Sequence, residues 1–125
     1  MRRLIITALA VGVLALASPA SAITYGTQDG NGHPNVGGLV AAQAYSDGTW
    51  IYCSGTLIGP KVFLTAAHCA EGSRVRVTFA SAYQKGDKTY SGTWYADPLY
   101  TGAQSDPHDI AVVVLDSAPN ITPAR

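Results

Sequence analysis

The chain has 125 residues, of which 47% are hydrophobic and 13% charged, with eight Lys/Arg balanced by eight Asp/Glu and only two cysteines. That length sets a ceiling of one small domain. Without clustered basic residues the composition excludes a nucleic-acid-binding surface.

Residues 1–22 read as a secretory signal peptide. Arg2 and Arg3 give a positive start, Leu4 to Leu16 is almost wholly apolar, Pro19 breaks the run, and Ala20-Ser21-Ala22 supplies small residues for cleavage. A membrane anchor is the competing reading, but the apolar run is too short for about 30 Å of hydrocarbon and no basic stop follows it. The expected product is therefore secreted and extracellular, with no membrane association after signal removal. Losing the leader removes two basic residues and leaves six against eight acidic ones.

The mature chain opens at Ile23-Thr24-Tyr25-Gly26, and the Gly-, Asn- and Asp-rich run from Thr27 to Asn35 reads as a loop. His33 lies in it as a solvated residue. A strand of small apolar residues is predicted from Val36 to Tyr45, then a hairpin turn at Ser46-Asp47-Gly48-Thr49 with Gly48 at positive φ. Trp50 to Ile58 returns as the second strand and Val62 to Ala66 as the third, separated by the turn residues Gly59-Pro60-Lys61. A short helical turn carries Ala67 to Ala70.

Arg74-Val75-Arg76-Val77-Thr78-Phe79 alternates with a period of two, which puts Val75, Val77 and Phe79 on the core face and both arginines in water. Gln84 to Lys88 is polar and turn-like around Gly86, and Tyr90 to Ala96 resumes strand character with Trp94 and Tyr95 on opposite faces. Asp97 to His108 is a long loop, Asp109 to Leu115 a continuous apolar strand, and Pro119 and Pro123 end the run. An aspartate opening an apolar strand pays desolvation unless it accepts hydrogen bonds, and an imidazole N–H is a suitable donor.

Two cysteines in an exported chain are most simply a Cys53–Cys69 disulfide. It would tie the second strand to the turn carrying His68 and hold that imidazole against a rigid sheet. Zinc is the alternative, yet Cys53, His68 and Cys69 supply three ligands at most and lack metal-site spacing.

Three motifs in order, Cys53-x-Gly55-Thr56-Leu57-Ile58, Thr65-Ala66-Ala67-His68-Cys69 and Asp109-Ile110-Ala111-Val112-Val113-Val114-Leu115, resemble the chymotrypsin/trypsin family of serine endopeptidases in its secreted bacterial branch. The resemblance covers residues 23–125 and implies an all-β fold: an antiparallel six-stranded Greek-key barrel, the first of the two barrels of such a peptidase. It implies His68 as general base, Asp109 as the carboxylate that orients it, and protein or peptide substrates bound once a second barrel completes the cleft. No cofactor and no metal are implied. Ile23 would match the family's activating N-terminus, whose ammonium pairs with an aspartate, although Tyr25 departs from that pattern.

The family's nucleophile lies in a Gly-Asp-Ser-Gly-Gly stretch, and none of Ser46, Ser54, Ser73, Ser81, Ser91, Ser105 or Ser117 has those surroundings. The chain is thus expected to be the truncated amino-terminal half of a serine endopeptidase, inactive alone. The alternative is a secreted, catalytically dead single-barrel interaction module. An intact His68/Asp109 pair favours the first.

Overall fold

In the computed structural model the chain is described at residues 26, 27, 29–103 and 105–125. The leader and Ile23 lie outside the described residues. Among the described residues six strands form: β1 (Val36–Val40), β2 (Ile51–Gly59), β3 (Val62–Thr65), β4 (Arg74–Thr78), β5 (Tyr90–Ala96) and β6 (Ala111–Leu115), with a 3-10 turn at Ala67–Cys69 between β3 and β4. They close into one antiparallel barrel in the order β1-β2-β3-β6-β5-β4. Because β4 returns beside β1 rather than beside β3, the topology is the predicted Greek key. Among the described residues closure leaves no free sheet edge. No helix among the described residues is long and apolar enough to cross a membrane.

Alternation along the strands fills the interior. Leu39, Leu57, Phe63, Val75, Val77, Tyr90, Val113 and Leu115 meet in one core with Cys69, and each large aliphatic or aromatic side chain buried there contributes about 1.5–3 kcal/mol. Phe79 joins two of the aromatics edge-on, with ring centroids 5.8 Å from Phe63 and 5.9 Å from Tyr90. Gly55 lets β2 lie close to β3: a Cβ there would fall on the Leu64 carbonyl oxygen and the Phe63 ring. Trp94 packs on the core while Tyr95 faces outward, as the alternation predicts.

Four expectations need correcting. β1 stops at Val40, not Tyr45. Its register with β2 shifts between Leu39 and Val40, one further bond joins Ala41 N–H to the Trp50 carbonyl, and residues 42–49 are exposed. Gly48 does take positive φ, at 83°.

Arg76 is not simply solvated. It is half-buried, and its guanidinium donates to the Ala41 carbonyl at 2.5 Å, satisfying an acceptor where the β1 ladder ends. Arg74 stays exposed and forms a two-bond pair with Asp116.

β6 begins at Ala111 rather than Asp109. The preceding N–H groups turn back on the loop, Asp109 to the Asp106 carbonyl and Ile110 to the His108 carbonyl, so they cannot join the ladder. The segment after Leu115, read from the sequence as having no terminating structure, is tied back to the barrel. Ala124 N–H donates to the Leu57 carbonyl at 2.8 Å, the Tyr90 hydroxyl donates to the Pro119 carbonyl at 3.3 Å, and Ile121 packs on the core.

Candidate active site

Strands β3 and β6 pair antiparallel with Thr65 opposite Ala111. His68 lies three residues beyond Thr65 and Asp109 two residues before Ala111, so the ladder brings both to the same end of adjacent strands. Their 41-residue separation in sequence thereby becomes a contact.

The turn then aims the imidazole outward. Ala67 and Cys69 are 2% and 6% exposed, anchored inward on either side of His68, whose own side chain is 59% exposed. Cys69 is bonded to Cys53 of β2, with Cα atoms 6.2 Å apart. The Thr65 hydroxyl donates to the Ser54 carbonyl at 2.9 Å and adds a second tie between β3 and β2. Ser54 therefore contributes through its main chain.

Asp109 meets His68 with both carboxylate oxygens. The backbone N–H of His68 donates to Oδ1 at 2.9 Å and the ring Nδ1 lies 2.7 Å from Oδ2. The His68 side-chain and backbone hydrogen bonds hold the Asp109 carboxyl below the usual carboxylate range. An ionised carboxylate only accepts, so Nδ1 carries the proton and Nε2 is left as the free acceptor. That is the arrangement a general base requires.

The other candidates do not converge here. The His33 ring lies 3.0 Å from Asp29 Oδ1 on the surface, and the His108 ring lies 3.2 Å from Asp106 Oδ1. Among the described residues no serine hydroxyl is bonded to His68. Potential ligand atoms of Cys53, His68 and Cys69 do lie within 4.8 Å of one another, but the disulfide uses both sulfurs, which overturns the zinc alternative. A cleft of about 850 Å³, walled by Val36, Ile51, Phe79 and Tyr83, includes neither His68 nor Asp109. The His68 side chain is exposed and the Asp109 side chain beside it half-buried.

Sequence reasoning missed one residue. Asp106 is half-buried, its side chain only 4% exposed, and carries a carboxyl pushed far below the usual range, first by the Thr101 hydroxyl and then by the backbone N–H groups of Thr101 and His108. Only the Asp106-Pro107 dipeptide hinted at a turn there.

The trypsin family model matches residues 26–124. Among solved structures, one described as "Structure of GrC" is similar in fold, with 22% identity and a TM-score of 0.50 over 77% of this chain and 43% of that one. The chain thus spans less than half the length of that structure. No curated protein matches.

Proposed function

The chain belongs to the trypsin family, and from that premise we propose that its barrel is the part of a secreted serine endopeptidase that carries the general base and the carboxylate orienting it. The observation behind this reading is the doubly bonded Asp109–His68 pair with Nε2 left free. In the proposed reaction, Nε2 takes the proton of a serine hydroxyl as its oxygen attacks a peptide carbonyl. The imidazolium, stabilised by Asp109, then returns that proton to the leaving amine. Water repeats the cycle on the acyl-enzyme and restores the serine.

The reading requires the serine and the oxyanion donors to reach His68 from polypeptide other than the described residues. A second barrel after this one is the proposed source, with protein or peptide substrates held between the two. Without a nucleophile, turnover falls on the order of a millionfold, so these residues alone are expected to be inactive. Export is proposed from the leader-like Met1–Ala22, and the Cys53–Cys69 disulfide supports an oxidising destination. Cleavage after Ala22 would free Ile23 as the activating terminus.

The test is to read the coding DNA beyond the Arg125 codon in all three frames, express any product carrying a Gly-Asp-Ser-Gly-Gly stretch, and assay it on labelled casein. Hydrolysis that His68→Ala abolishes is the expected result. A stop codon followed by unrelated sequence, together with no labelled-casein cleavage by the exported chain under any conditions, overturns the endopeptidase reading in favour of a binding barrel.

A further inference from the structure

The geometry points to Asp106 as a positioning residue for the His68–Asp109 pair, a role that rests on the reading of that pair as base and orienter. Both oxygens of Asp109 are given to His68, and Asp109 stands outside the β6 ladder, which begins at Ala111. Those two bonds fix the carboxylate against the 3-10 turn, and the rest of its support comes through its main chain. That main chain hangs on Asp106, whose carbonyl accepts the Asp109 N–H at 3.2 Å.

Asp106 is itself fixed from both ends of the loop. Its Oδ2 accepts the Thr101 N–H at 2.8 Å and the Thr101 hydroxyl at 2.6 Å. Its Oδ1 accepts the His108 N–H at 2.9 Å and lies 3.2 Å from His108 Nδ1. The Asp97 N–H bond to the Ile110 carbonyl, at 2.9 Å, closes the base of the same loop. A buried carboxylate is costly unless its lone pairs are satisfied, and here the loop satisfies them while bending toward Asp109. A carboxylate serves this purpose better than a neutral side chain, because it accepts from Thr101 and His108 at once without presenting a donor to either.

The experiment uses the full chain, disulfide intact and labelled with 15N-histidine, with the His68 ring signals assigned against His68→Gln. In the wild type the ring is expected in the Nδ1–H tautomer with that proton slow to exchange. Asp106→Asn, which keeps the shape but points an amide at Thr101, is expected to speed Nδ1–H exchange by about tenfold and to populate the Nε2–H tautomer while the barrel amide spectrum is unchanged. Thr101→Val, which removes the hydroxyl that donates to Asp106 Oδ2 and accepts the Ala103 N–H at 3.4 Å, is expected to act in the same direction by about two- to threefold. A residue that merely stabilises the loop would leave the tautomer alone. Unaltered exchange in a folded Asp106→Asn overturns the proposal; should that variant fail to fold, unaltered exchange in Thr101→Val overturns it instead. A wild-type His68 in the Nε2–H tautomer is a different failure, because it removes the base reading itself.

Discussion

Asp109 receives His68 twice, from the ring at 2.7 Å and from the backbone N–H at 2.9 Å. The second bond fixes the carboxylate against the 3-10 turn, so the ring cannot rotate without giving up the first. Asp109→Asn should leave the barrel folded, since the side chain is partly exposed, but its amide would face either the ring or the backbone N–H with a donor. In any active product containing this barrel, turnover on labelled casein should fall about 10⁴-fold with little change in thermal stability. A loss below tenfold would mean that Asp109 does not orient the base.

The Cys53–Cys69 bond closes a loop of 16 residues in sequence separation, for which the chain-entropy model expects about 3 kcal/mol of stabilisation. The paired substitution Cys53→Ala/Cys69→Ala should lower the free energy of urea unfolding by about that amount. Amides of the turn at Ala67–Cys69 should lose hydrogen-exchange protection before those of β5 and β6. Uniform loss across the barrel would show that the disulfide acts globally rather than on the turn.

Gly55 has no room for a side chain between β2 and β3. Gly55→Ala must push either the Leu64 carbonyl or the Phe63 ring, and Phe63 is fully buried. The expected cost is about 1–3 kcal/mol, read by chemical denaturation. A neutral result would require β2 and β3 to separate without cost.

Much of this was legible in the chain. Period-two alternation located β4, strand-forming residues located β5, and the motif residues around His68 and Asp109 located the pair, because these signals are local. What failed depended on tertiary partners. Arg76 has an alternating strand's spacing, yet it turns to the Ala41 carbonyl because β1 ends there. The apolar run from Asp109 begins two residues too early as a strand because the loop takes its first N–H groups. Asp106 looked like any loop aspartate, since its partners Thr101 and His108 meet it only when the loop is closed.

Trp94 Nε1 is buried with no hydrogen-bond partner among the described residues. An unmet indole N–H costs about 1–3 kcal/mol of desolvation, which offsets part of what the larger ring gains by packing. Trp94→Phe should therefore change stability by less than about 1 kcal/mol, against the 3–5 kcal/mol typical of removing a buried aromatic altogether. A thermal melt that shifts as far as Trp94→Ala would show that the indole nitrogen is hydrated.

Acid should unfold the barrel from the carboxylate side. Asp106 is depressed chiefly by Thr101, Asp109 by His68, Asp116 by Arg74 and Asp47 by Thr49. An unfolded aspartate titrates at about 3.9, so above roughly pH 5 these groups are ionised in both states and their stabilisation is fully present. Below that the unfolded chain takes up protons first, and stability falls as pH descends through the lower folded values, with Asp106 the last of the four to protonate. Melting temperature should accordingly drop steeply between about pH 4 and pH 2, and Asp106→Asn should make that drop shallower while lowering the plateau above it. Equal slopes for the two proteins would show that Asp106 is no more acidic in the fold than in the open chain.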